Sequence, residues 1–151
     1  MKKFYIVRGL PGSGKSTIAK LIAEATGALH FEADMIFIDP ITQEYKFDPN
    51  KLGYAHKWCL DQCDRALAHN HSCVVSNTFT TQKELNPYLE LARNHGIIPN
   101  IILSQSEFGS IHGVPEDKME AMRNRFLFKI DLDDPKQTLA ASTQEVDTKV
   151  A

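Results

Sequence analysis

Three cysteines, Cys59, Cys63 and Cys73, are too few and too unevenly spaced for a disulfide framework or for paired C-x-x-C motifs, so they read as buried free thiols in a reducing compartment. No apolar run approaches the roughly 20 residues that cross a bilayer. The opening MKKFYIV runs into a glycine-rich loop rather than a cleavable signal, which predicts a cytoplasmic protein. A strong charge of one sign is also missing. A formal net charge of −2 and a pI near 6.3 argue against coating nucleic acid by bulk electrostatics, but leave room for a local phosphate site. With 42% hydrophobic and 24% charged residues the chain is not wholly disordered, and 151 residues suit one domain around one core.

What is present is an alternation of two patterns. Phe4, Tyr5, Ile6 and Val7 form a short apolar run that suits a strand buried on both faces, spanning Lys3 to Arg8. Ile18, Leu21, Ile22 and Ala25 then recur at helical spacing, and Gly27 is placed to end that helix in a left-handed turn. A second strand is predicted over 28–33, with Asp34 delivered at its carboxyl end. A loop over 38–48 precedes a helix capped by Asp48, opened by Pro49 and running to about Ala68. A third strand covers 72–76, and Thr81 with Glu84 makes a capping box for a helix closed by Gly96. A fourth strand covers 97–103, and Pro115 opens a last helix to about Phe128. Strands alternating with helices predict an α/β fold: a three-layer α/β/α arrangement with a parallel sheet of four to five strands and ligands at the strand carboxyl ends. The domain is expected over 1–129, and 130–151 reads as a disordered acidic tail.

The chemistry sits in Gly9-Leu10-Pro11-Gly12-Ser13-Gly14-Lys15-Ser16, followed by Thr17. The spacing matches the phosphate-loop pattern, and a strand before it with a helix after it is the required context. Glycines let backbone N–H groups converge on phosphate oxygens, and the following helix adds the partial positive charge of its N-terminus. Lys15 supplies a full charge to the β- and γ-phosphates, and the Ser16 hydroxyl is the candidate Mg²⁺ ligand. ATP and Mg²⁺ are therefore the expected cofactors. Neither an NKxD nor a DxxG sequence is present, which removes the GTPase reading and leaves kinases of small molecules or polymer ends. These need a base beside the acceptor hydroxyl; Asp34 is the first candidate, set against a loop-capping role, and Asp39 the weaker one.

Other residues carry two readings each. His56, Cys59 and Cys63 can share a helix face, a metal-site pattern without a fourth ligand nearby. Lys46, Lys51, Lys57 and Arg65 suit an acceptor phosphate or plain solvated surface. Trp58 and Phe47 suit base stacking or core packing.

Taken together, GLPGSGKST, Asp34, KFDPNKLGYAHKWC, VVSNT and HGVP with Met119 and Met122 resemble the polynucleotide-kinase-like P-loop kinases across about residues 3–127. That family includes the phage 5′-hydroxyl kinase and the ATP-binding domain of an animal Nedd4-binding protein. The resemblance implies transfer of the γ-phosphoryl of ATP to the 5′-hydroxyl of DNA or RNA, with Lys15 and Ser16 at the phosphates and Asp34 as general base. It places Ser76, Asn77 and Thr78 near the Mg²⁺ and acceptor region; Asn77 stands where the phage pattern has an aspartate. His56, His112 and Arg123 complete the candidate acceptor-side residues. One departure is in the lid: the family offers arginine before HGVP, whereas 104–111 holds no Lys or Arg. Losing such a cation can cost on the order of a thousandfold in rate. Arg123 and Arg125 on the next helix can substitute or can simply face water, and His112 can donate a hydrogen bond instead. Two alternatives stay open: a kinase of a nucleoside, modified base or small hydroxylated metabolite, and an ATP-binding module without transfer.

Overall fold

In a computed structural model, residues 1–107 and 113–132 are described. Strand β1 (Phe4–Arg8) leads through the glycine loop into helix α1 (Lys15–Thr26), then strand β2 (Leu29–Phe31), helix α2 (Leu52–Ala68), strand β3 (Cys73–Asn77), helix α3 (Gln82–Asn94), strand β4 (Asn100–Leu103) and helix α4 (Glu116–Arg125). The four strands form one parallel sheet in the order β2-β3-β1-β4. In register, Ile6 faces Val75 and Ile101, and Arg8 faces Asn77 and Leu103, so β1 and β3 deliver their carboxyl ends side by side.

Strand residues point alternately to the two faces, and the core divides accordingly. Phe4, Ile6, Cys73 and Val75 pack with Cys59, Cys63 and Leu67 of α2 and Leu85, Leu89 and Ala92 of α3. Val7 and Val74 pack on the opposite face against Ala19, Ile18 and Ile22 of α1. The result is the expected three-layer arrangement, with four strands among the described residues.

Local signals set most boundaries. Gly27 closes α1 at φ 75°, its N–H reaching Ala23 O at 2.9 Å. Thr81 and Glu84 form the reciprocal capping box of α3. Asp48 accepts from Asn50 N at 3.0 Å, and Pro49 opens a short 3₁₀ turn (Pro49–Lys51) ahead of α2. Three boundaries depart from the sequence reading. Strand β2 stops at Phe31, because the Ala33 N–H is taken by Asn77 Oδ1 at 2.9 Å and the chain turns into a 3₁₀ helix (Ala33–Phe37). Strand β4 begins only at Asn100: Ile97 N–H still serves Ala92 O of α3 at 2.8 Å, and Pro99 has no N–H for a ladder. Helix α4 starts after Pro115 and ends at Arg125, since Leu127 N–H goes to Thr80 O at 2.8 Å.

The described chain also continues past the expected boundary at 129. Gln82 exchanges two hydrogen bonds with the Asp131 backbone, at 2.7 and 2.8 Å, seating 130–132 beside the start of α3. Residues 133–151 of the expected tail lie outside the described residues. All three cysteines are buried free thiols. No described helix is long and apolar enough to cross a membrane.

Candidate active site

The glycine loop lies where β1 runs into α1. Gly12 at φ 78° and Gly14 at φ 92° hold left-handed conformations that turn successive N–H groups toward the loop's mouth. At Gly9 a Cβ would fall within 2.5 Å of the Ser104 carbonyl oxygen, so this position excludes any side chain. The Ser104 hydroxyl donates to the Ser13 carbonyl, and Gly9 N–H reaches Thr78 O at 3.3 Å, tying the loop to the ends of β4 and β3. Among the described residues the buried Ser13 hydroxyl has no hydrogen-bond partner.

Lys15 reaches back over the loop it follows. Its Nζ makes a long 3.4 Å contact with Leu10 O. Burial lowers its pKa, and Glu32 and Asp34 oppose that shift, so both carboxylates lie within electrostatic reach of the ammonium. The Ser16 side chain is half-buried at the start of α1, and Thr17 is exposed one position on.

Asp34 sits in the 3₁₀ helix rather than at a strand end. The Tyr45 hydroxyl donates to Asp34 Oδ1 at 3.2 Å, and burial followed by the Asp34 charge pushes the Tyr45 phenol further from ionisation. Tyr45 is brought there by a bridge between Ile38 and Tyr45 within the loop expected over 38–48.

Asn77 is placed differently from the sequence expectation. It is buried, with Oδ1 accepting from Ala33 N and Nδ2 3.7 Å from Cys59 Sγ, so its amide holds β3 to the 3₁₀ helix and α2. Thr78 offers its carbonyl to the glycine loop. His56 is exposed on α2, while Cys59 and Cys63 on the same helix point into the core; among the described residues no group of three or more His, Cys, Asp or Glu side chains can hold a metal. Trp58 packs edge-on against Phe31 at 6.2 Å, the core reading, whereas Phe47 remains half exposed beside Phe37. His112 lies outside the described residues.

Arg123 is exposed, with Nη1 2.9 Å from Glu116 Oε1, and it lines a cavity of about 630 Å³ that opens beside the glycine loop. Leu10 and Pro11 form one wall, the backbone after β4 another, and Met119, Phe126 and Phe128 the third. Phe126 is fixed from below by Arg8, whose guanidinium lies 4.4 Å from the ring centroid and donates through Nη2 to Phe79 O at 2.7 Å.

The residue that sequence reasoning missed is Glu32. Its Oε1 accepts from the Ser76 hydroxyl at 2.6 Å and lies 3.1 Å from His30 Nε2. Burial pushes its pKa up, but hydrogen bonds from His30, Ser16 and Ser76 outweigh this and bring it to about 2. The available signal was a carboxylate two residues before Asp34 in a strand otherwise meant for burial.

Residues 5–107 match the AAA domain family, well over half of the chain. The chain belongs to this family. The chain is 33% identical over 93 residues to human NEDD4-binding protein 2, covering 60% of this chain and 5% of that protein. Its fold is that of the P-loop kinases. It resembles a chain in the structure of the Pnkp1/Rnl/Hen1 RNA repair complex (TM-score 0.58, 15% identity, 89% of this chain and 50% of that one). It also resembles a gluconokinase from Sinorhizobium meliloti 1021 (TM-score 0.52, 19% identity, 83% and 75%). The chain thus spans a small fraction of the curated relative and half of the RNA-repair chain.

Proposed function

We propose that this AAA-domain chain is an ATP-dependent kinase that transfers the γ-phosphoryl group to a hydroxyl, with the 5′-hydroxyl of a polynucleotide as acceptor. The observation that carries the reading is that Asp34 lies within electrostatic reach of Lys15, the lysine of the glycine loop. A general base for the transfer must lie close to the γ-phosphate that Lys15 would bind.

In this reading the N–H groups of 9–16 and Lys15 grip the triphosphate, and the cavity beside Leu10 takes the base between apolar side chains. Ser16 and a nearby carboxylate suit Mg²⁺, which when bound neutralises charge on the β- and γ-phosphate oxygens. The acceptor oxygen bonds to the γ-phosphorus as the bond to the β–γ bridging oxygen breaks, and Asp34 takes the hydroxyl proton. Tyr45 holds the Asp34 side chain by its hydrogen bond. The polynucleotide acceptor is supported by the resemblance in AHKWC, SNT and HGVP and by the likeness to the RNA-repair chain.

A second reading, nucleotide binding without transfer, is favoured by the absence of Lys and Arg from 104–111. The deciding experiment offers labelled ATP with 5′-hydroxyl oligonucleotides, nucleosides and hydroxylated metabolites. Product from oligonucleotides that Lys15→Ala and Asp34→Asn both abolish supports the proposal. Product from the small acceptors alone moves the acceptor assignment, and ATP binding with no product supports the second reading.

A further inference from the structure

Tyr45, Phe37 and Phe47 are joined edge to face into one aromatic run that starts at the candidate base. The Tyr45 hydroxyl donates to Asp34 Oδ1 at 3.2 Å. The Tyr45 ring meets Phe37 with centroids 6.2 Å apart and planes at 76°, and Phe37 meets Phe47 at 5.1 Å and 61°. Phe37 is buried, whereas Phe47 is 51% exposed. The backbone is pinned on both sides of Phe47: Lys46 N–H donates to Phe37 O at 2.8 Å, and Asp48 caps the turn ahead of α2 by accepting from Asn50 N–H at 3.0 Å. An edge-to-face contact orients a ring, so the exposed side of Phe47 is set before any ligand arrives, which lowers the ordering cost of binding to it.

An exposed phenylalanine alone signals nothing, since single apolar side chains are common on protein surfaces. Phe47 differs from Tyr54, which is also exposed, in its tie to Asp34: a group stacked on Phe47 is held at a fixed reach from that carboxylate. Trp58 packs against Phe31 instead. Every nucleobase has a π face, so an aromatic platform holds a single strand without reading its sequence. We propose that Phe47 stacks on a base near the 5′ end of the acceptor strand, making it a specificity residue that selects acceptors carrying a base at that place. This rests on the kinase reading above, with Asp34 as the base that takes the hydroxyl proton. Lys46, next in the chain, is 3.6 Å from Glu44 with both side chains exposed; so weak a surface pair leaves its ammonium open to a strand phosphate.

The test is a cycle that deletes the ring and the base separately. Fluorescence anisotropy measures binding of a 3′-labelled, 5′-hydroxyl single strand, and of strands abasic at the first, second or third nucleotide, to the full chain as wild type, Phe47→Leu, Phe47→Trp and Tyr54→Leu. Phe47→Leu keeps an apolar side chain against Phe37 and is expected to bind the intact strand about tenfold more weakly, while one of the abasic strands binds it and wild type equally. Tyr54→Leu should bind all strands as wild type does. Phe47→Trp should hold the intact strand at least as tightly as wild type with no gain for that abasic strand, and it carries the test if the leucine variant does not fold. An equal loss for intact and abasic strands, or no loss, overturns the proposal and leaves Phe47 as packing for Phe37. Transfer of labelled γ-phosphate to the same strands separates this inference from the reading beneath it. Transfer without the Phe47-dependent coupling sinks the stacking and keeps the kinase; coupling without transfer keeps the stacking and sinks the kinase. A wild type that binds no strand overturns the proposal.

Discussion

Asn77 Oδ1 accepts the Ala33 N–H at 2.9 Å, and this bond diverts the chain from β2 into the 3₁₀ helix that carries Asp34. A buried side chain on β3 therefore positions a carboxylate 43 residues earlier in sequence. Asn77→Ala leaves a buried N–H unpaired and is expected to cost about 1–3 kcal/mol. Urea unfolding checks the cost. Asn77→Asp keeps an oxygen for Ala33 and should fold with a smaller loss than the alanine variant; an equal loss would show that the Ala33 bond is not what matters.

Asp34→Asn preserves size and the acceptor for Tyr45 but removes the proton acceptor. Transfer to the acceptor is expected to fall by about 10²–10⁴ with ATP affinity retained. Tyr45→Phe should act less, through the position of Asp34 alone. A wild-type rate in Asp34→Asn would exclude it as the base.

Gly9→Ala drives a methyl group into the Ser104 carbonyl and the Ser13 hydroxyl. We expect a loss of about 1–3 kcal/mol in stability together with weakened ATP binding, because loop and β4 must separate to admit it. Thermal unfolding with and without ATP–Mg²⁺ separates the two effects, and an unperturbed variant would refute the close approach.

Phe126 is buried over Arg8, and its neighbour Leu127 is hydrogen-bonded to Thr80. Phe126→Ala is expected to cost about 3–5 kcal/mol if α4 unfolds with the rest. If α4 detaches on its own, global stability falls by less and nucleotide affinity drops as the cavity wall is lost. Hydrogen exchange over 116–132 distinguishes these outcomes.

Cys59, Cys63 and Cys73 are each at 0% exposure. A thiol reagent should label none of them in the native protein and all three after denaturation. Rapid native labelling of Cys59 or Cys63 would contradict the core assignment and reopen the metal-site pattern with His56.

Much of the fold was legible because its determinants are local. Gly27 ends α1 and the Thr81–Glu84 box starts α3 through hydrogen bonds that span four residues or fewer, which a sequence displays directly. The apolar runs of β1 and β3 could be read for the same reason, since both faces are covered by helices. Boundaries failed where a distant partner intervened: Asn77 cut β2 short, and Thr80 ended α4.

The same division holds at the site. By itself the sequence displayed the glycine loop, since Gly9 to Ser16 are contiguous, and it singled out Asp34 as the candidate base. Only the tertiary structure decided that Glu32 meets Ser76 while Asn77 is buried against Ala33 and Cys59, because both contacts depend on β3 lying beside β2. That neighbourhood is set by packing the sheet against its two helical layers, and its contacts join residues more than 40 positions apart, for which short-range spacing carries no signal.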